Sequence, residues 1–197
     1  IKPIEPMVRV PRGEYTWLAR ALDIGARGVM IPMVESAEQA RSIVQACRYP
    51  PVGRRGAAFG FAQCDYLGGD VGEKIRQANA RTMVIAQIET EHGLANLDAI
   101  AAVDGVDVLW VGHFDLSNFM GIPGQFDDPR FDAAMRDVVR ACRRHGKAAG
   151  FMATDEAWVR RAREMGYTMI AAGTDNGLLQ QAFTRMVGHI DEGHTPC

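Results

Sequence analysis

Six short apolar runs recur along this chain, each parted from the next by a longer stretch, and that rhythm narrows its fold to a parallel α/β architecture. The runs cover 7–10, 28–32, 82–88, 106–111, 148–152 and 168–172. They are apolar almost throughout, as strands covered on both faces are. Between them apolar residues recur at i, i+3, i+4 and i+7, the period of a helix with one buried face. Ala40, Ile43, Val44 and Cys47 form one such stripe. Ser36, with Gln39 three residues on, opens it as a capping box does. A second helix takes Asp128 as its N-cap and Pro129 as its first residue, ends in Arg143-Arg144-His145 and stops at Gly146. A third runs from a Thr154 cap to Gly166, and a last amphipathic helix spans 178–187.

This β-α-β-α repetition continues without a change of composition, so 1–197 is expected to form one domain without a linker. Six strands with helices between them fit either an open doubly wound sheet or most of a (β/α)8 barrel. No GxGxxG or GxxxxGK[ST] string is present, which removes the main support for the nucleotide-binding open sheets. The segment 48–71 breaks the rhythm. It is long, rich in Gly and Pro, and carries Arg54 and Arg55; such a loop in a compact domain is commonly functional, here over a site mouth or against a neighbouring subunit.

A net charge of −2 gives no electrostatic case for nucleic acid or an anionic membrane surface. No apolar stretch approaches the roughly 20 residues of a membrane span. Cys47, Cys64, Cys142 and Cys197 are widely spaced and form no CxxC pair. Cys47 and Cys142 fall on helix stripes, which predicts buried free thiols and a cytoplasmic protein. The chain opens on Ile1 and Lys2-Pro3, with no initiating Met, and reads as a piece of a longer protein.

Two carboxylates sit just past strand ends: Glu89 after the 82–88 run, and Asp115 after the 106–111 run, about one βα unit apart. In parallel α/β folds the strand C-termini converge on the active site, and two acids there suit an oxygen-loving divalent cation with open positions. The plainer reading, that Glu89 caps a helix near Thr90 and Asp115 one after Leu116, carries comparable weight. Gln87, two before Glu89, points to the same face. Arg9 lies inside an apolar strand, where a guanidinium needs an anionic partner such as a bound carboxylate substrate, unless an edge leaves it exposed. His113, two before Asp115, is a candidate catalyst, although a lone His is more often a structural hydrogen-bonding residue. His145, His189 and His194 look like helix-end or tail residues. No GxSxG, HExxH or Cys–His pattern argues for acyl transfer or zinc peptidase chemistry.

The ordered set Met7-Val8-Arg9-Val10-Pro11, Gly28-Val29-Met30-Ile31-Pro32-Met33-Val34, Arg48-Tyr49-Pro50-Pro51, Gln87-Ile88-Glu89-Thr90 and Asp115-Leu116-Ser117 resembles the HpcH/HpaI aldolase family over nearly the whole chain. The resemblance implies a TIM (β/α)8 barrel and reversible aldol chemistry between a 2-oxo acid, pyruvate or hydroxypyruvate, and an aldehyde. On the family's pattern Glu89 and Asp115 match the ligands of Mg²⁺, Mn²⁺ or Co²⁺. Arg9 matches the arginine at the keto oxygen, Gln87 a polar neighbour of that oxygen, and the amides of Phe114 and Asp115 the carboxylate-binding corner. A homo-oligomer, commonly a hexamer with exchanged C-terminal helices, is implied as well.

Two departures stand out. The family's proton-transferring histidine, in an Asp-x-Glu-His string, belongs to the second βα unit, upstream of this chain. The six strands therefore match the third to eighth units, with the first two absent and about 50–60 further residues expected. Many relatives also carry Gly-Pro-Ala-Asp where this chain has Gly112-His113-Phe114-Asp115, which makes His113 more interesting. The sequence thus points to a metal-dependent aldolase. An acyl-CoA lyase on the same fold, or an inactive 2-oxo-acid binder, are the alternatives.

Overall fold

A computed structural model describes residues 4–191 of the chain. The elements run in order β1 (Met7–Arg9), α1 (Tyr15–Asp23), β2 (Gly28–Ile31), α2 (Ala37–Cys47), α3 (Val71–Arg81) and β3 (Met83–Ile88). There follow α4 (Glu91–Ala95), α5 (Leu97–Ala101), β4 (Val108–Val111), α6 (His113–Phe119) and α7 (Pro129–Arg144). The series closes with β5 (Ala148–Ala153), α8 (Glu156–Met165), β6 (Met169–Ala172) and α9 (Asp175–Asp191).

All six strands pair in parallel, in the order β1-β2-β3-β4-β5-β6. That order decides between the two architectures left open by the sequence. A doubly wound sheet reverses its strand order and places helices on both faces. An unbroken order with right-handed crossovers puts every connecting helix on one face, as in a barrel wall.

The two faces bury different sets. Towards the helices, Val29, Ile31, Val84, Leu109, Val111 and Phe151 join the large core, each fully buried. At about 1.5–3 kcal/mol for each large side chain removed from water, this layer supplies most of the driving force. Towards the inside, Ile85, Val108 and Trp110 form a second cluster, flanked by Met30, Met152 and Ala171. Gly150 is paired with Trp110, and a Cβ there would lie 2.3 Å from the indole Cε3.

The capping chemistry read from the sequence is largely present. The Ser36 hydroxyl accepts from the Gln39 amide at 3.1 Å, while the Gln39 side chain reaches back to the Glu35 amide at 2.9 Å. Asp128 accepts from the Arg130 amide at 2.8 Å, with Pro129 next to it. Helix α8 differs: Asp155, not Thr154, is its cap, and its carboxylate accepts from the Trp158 amide at 2.9 Å. The last helix is longer than 178–187, and its Leu179, Phe183 and Met186 are exposed.

The 48–70 segment is irregular apart from a short 3-10 turn at Ala62–Cys64. It lies along α1 and α3: Arg55 pairs with Asp23 at 2.6 Å, and the Gly56 amide donates to the Tyr15 hydroxyl at 2.8 Å. Cys47 and Cys142 are buried free thiols, Cys64 is partly exposed, and Cys197 and His194 lie outside the described residues. Among the described residues no helix is long and apolar enough to cross a membrane.

Candidate active site at the strand ends

Glu89 is the first residue beyond β3, and its side chain is 2% exposed. Oε1 accepts from the Met33 amide at 2.9 Å, and Oε2 accepts from the Gln87 side-chain amide. Met33 follows β2 and holds φ at 56°, the left-handed region that non-glycine residues seldom occupy. Gly112 closes the site from the other side. Its amide donates to the Ile88 carbonyl at 3.1 Å, which keeps it beside the end of β3. A Cβ at Gly112 would stand 2.3 Å from Glu89 Oε2 and 2.6 Å from Gln87 Nε2, so only glycine fits without displacing them.

Burial pushes the Glu89 carboxyl above its ordinary value. The Met33 and Gln87 hydrogen bonds pull it down, the charge of Asp115 pushes it up, and that of Arg9 lowers it. Arg9 and Asp115 therefore both lie within electrostatic reach of the same buried carboxylate. Arg9 is paired in register with Met30, which packs on the inner cluster, and its side chain is exposed at the edge strand β1. Asp115, the third residue of α6, is exposed and makes no hydrogen bond or ion pair among the described residues. The structure thus gathers four of the sequence-predicted residues: Glu89, Gln87, Asp115 and Arg9.

Neither acid is a helix cap. Helix α4 is capped by the Thr90 hydroxyl, which accepts from the Gly93 amide at 3.0 Å, and α6 starts after Gly112 with no side-chain cap. The same Thr90 hydroxyl donates to Glu35 Oε1 at 2.7 Å. Glu35 in turn takes the Asn96 side-chain amide on its backbone carbonyl at 2.9 Å. Sequence reasoning missed Met33, Thr90 and Glu35, whose roles come from a meeting of two βα units that no local pattern marks.

His113 begins α6, and its ring is 8% exposed. It packs against Phe114, Phe126 and Phe151 at centroid distances of 4.6, 5.4 and 5.2 Å, with Trp158 at 6.3 Å. Burial holds the imidazole below its ordinary value, against the opposing charge of Asp115. No hydrogen bond to it is present among the described residues.

The donor set fits a hard divalent cation. Each Glu89 oxygen holds one hydrogen bond and keeps lone-pair capacity, the second carboxylate is free, and a Cβ at Gly112 would fill the cradle. Among the described residues no group of three or more His, Cys, Asp or Glu side chains could hold a metal alone. An ion here would rest on two carboxylates and take its other oxygens from substrate and water, the habit of Mg²⁺ and similar ions.

The profile of the HpcH/HpaI aldolase/citrate lyase family matches residues 1–182. A hydroxypyruvate/pyruvate aldolase of Pseudomonas aeruginosa is 39% identical over 191 residues, covering 97% of this chain and 71% of that protein. A 2-keto-3-deoxy-L-rhamnonate aldolase of Klebsiella pneumoniae subsp. pneumoniae is 39% identical over 181 residues, covering 92% and 67%. Among solved structures, an HpcH/HpaI aldolase/citrate lyase family protein from Burkholderia cenocepacia J2315 superposes with a TM-score of 0.88 at 36% identity. That match covers 95% of this chain and 74% of the other.

Proposed function

The chain belongs to the HpcH/HpaI aldolase/citrate lyase family, and we propose from that premise that Glu89 and Asp115 hold the divalent cation of a 2-oxo-acid aldolase. It is a lyase acting on 2-oxo acid aldols, and pyruvate or hydroxypyruvate is the proposed nucleophile half. The observation that carries the site assignment is the buried Glu89 carboxylate, clamped by Met33 and Gln87 and flanked by Asp115 and Arg9.

When bound, the ion, Mg²⁺, Mn²⁺ or Co²⁺, would act as a Lewis acid on the substrate's keto and carboxylate oxygens. Arg9 brings a positive charge to the same place, so the oxygen that gains charge as the enolate forms meets a complementary partner. Gln87 commits its N–H to Glu89, which holds that carboxylate in one orientation and leaves the amide oxygen towards the substrate. The amides of Phe114 and Asp115, in the first turn of α6, are assigned to the substrate carboxylate. His113 is assigned a positioning role: its ring is wedged among aromatic rings and stays neutral, fixing the start of the helix that carries Asp115. The six strands are read as the third to eighth of a (β/α)8 barrel, and 1–197 as one domain of it. The exposed apolar side of α9 supports a homo-oligomer, a hexamer on the family's pattern.

The test is exchange of pyruvate methyl protons for deuterium, followed by NMR with and without Mn²⁺, with Glu89→Ala as control. Metal-dependent exchange that is lost in Glu89→Ala is expected. No exchange in folded, Mn²⁺-loaded protein would overturn the enolate assignment.

A further inference from the structure

The clamp on Glu89 depends on a turn that its own residues do not favour. Met33 sits at φ 56°, a region that glycine, asparagine and aspartate visit most readily. Such a conformation persists only where neighbouring groups impose it. The hydrogen bonds of residues 33–35 identify those groups. The Val34 amide donates to the Gln87 carbonyl at 3.1 Å, and the Glu35 carbonyl accepts from the Asn96 side chain at 2.9 Å. Two further ties come from one side chain, that of Gln39. Its Nε2 donates to the Met33 carbonyl at 3.1 Å, and its Oε1 accepts from the Glu35 amide at 2.9 Å.

One planar amide thus spans the turn. The Met33–Val34 peptide is held at both ends, on oxygen by Gln39 and on nitrogen by the Gln87 carbonyl. Only a group with a donor beside an acceptor can make both Gln39 bonds; a carboxylate of the same length offers acceptors alone. In an ordinary capping box the side chain three residues into the helix bonds the N-cap amide. Here the cap is Ser36, and the Gln39 side chain reaches past it to residues 35 and 33. The capping bond itself is separate, since Ser36 Oγ accepts from the backbone amide of Gln39 at 3.1 Å. The grip has a firm base, because α2 buries Ala40, Ile43, Val44 and Cys47 in the core.

We propose that Gln39 is a positioning residue for the aldolase reaction: by gripping the turn it fixes the direction of the Met33 amide, and through that amide the orientation of Glu89 towards its cation. The inference rests on the assignment of Glu89 as an ion ligand. Among the described residues Gln39 makes no hydrogen bond to Glu89, so its influence passes through backbone alone.

The test compares Gln39→Glu with Ser36→Ala. The first keeps an acceptor for the Glu35 amide but sets an oxygen against the Met33 carbonyl. The second removes the α2 cap and leaves the ties of the turn in place. Two quantities are measured on each protein: hydrogen exchange of the Met33 amide without metal, and Mn²⁺ affinity by calorimetry. In Gln39→Glu the Met33 amide is expected to exchange faster, and Mn²⁺ affinity to fall about 10–100-fold, as when an oriented ligand loses its support. Gln39→Met, of similar length and without either bond, is expected to do the same. Ser36→Ala is expected to lower the thermal midpoint and to change neither quantity. Unchanged Mn²⁺ affinity in both Gln39 variants would overturn the proposal and leave the ion site standing. An equal loss in Ser36→Ala would overturn it too, by tracing the effect to general loosening of α2. No Mn²⁺ binding by the unaltered protein would overturn the ion site itself, and the role of Gln39 with it.

Discussion

The backbone N–H of Met33 donates to Glu89 Oε1 at 2.9 Å from a left-handed conformation, φ 56°. A non-glycine residue held there costs on the order of 1–3 kcal/mol, and such strain persists only where its surroundings impose it. Here the end of β2 is bent to aim one amide at the first residue beyond β3. The carboxylate is oriented before any ion arrives, and the orientation comes from backbone, which side-chain drift at position 33 leaves in place.

Gly112→Ala is expected to fold and to lose the site. The added methyl would meet Glu89 Oε2 at 2.3 Å, so the carboxylate must turn away. Affinity for Mn²⁺ should fall about 10–100-fold, the effect of losing ligand orientation at a metal site. Calorimetric Mn²⁺ titration beside a thermal unfolding curve separates this from general damage; unchanged affinity would refute the close approach.

Arg9→Met should separate ion binding from catalysis. Arg9 influences Glu89 only through its charge, so Mn²⁺ binding should persist. Loss of one complementary charge at the reacting oxygen should lower kcat about 100–1000-fold. A matching fall in Mn²⁺ affinity would place Arg9 in the ion site instead.

Thr90→Val tests the link between two βα units. One hydroxyl caps α4 and donates to Glu35, and both bonds vanish in an isosteric change. A loss of about 1–2 kcal/mol in urea unfolding is expected. A loss near zero would show that neither bond contributes net stability.

The buried thiols predict alkaline sensitivity. Burial pushes Cys47 up to about 12 and Cys142 up to about 11, from an ordinary thiol value of 9.0. Above pH 9 the unfolded chain releases these protons while the folded chain keeps them, so the unfolded state binds fewer protons and stability falls as pH rises. The fall should begin near pH 9 and continue through about 11 and 12. In a Cys197→Ser background, iodoacetamide at neutral pH should label Cys64 first, since the Gly60 amide and Lys74 lower that thiol. A flat profile from pH 9 to 11 would refute the burial of these two groups.

Much of this was legible in the chain. All six strands stand where the apolar runs predicted, because strands covered on both faces advertise themselves by composition. Glu89, Asp115, Gln87 and Arg9 were visible as polar residues at or beside strand ends. Whether the two acids were caps or ligands was not visible, because that depended on Thr90 supplying the cap oxygen. Gly112 stood in a noticed string, yet its purpose lies in the distance to a residue on another strand. The 48–71 segment drew notice for its length and its arginines, but the packing of Arg55 on Tyr49 did not show, because no periodicity describes the path of an irregular segment.

Trp110 lies beside Gln87 in the sheet, inside the curve, with its indole wedged against Gly150. The ground under the candidate site is therefore already occupied. Variants selected for a bulkier substrate would have little to gain by carving downwards, where even a methyl at position 150 collides with the ring. New specificity has one direction of growth, outward through the loops beyond the strand ends, so descendants of this sequence should diversify there while its floor stays still.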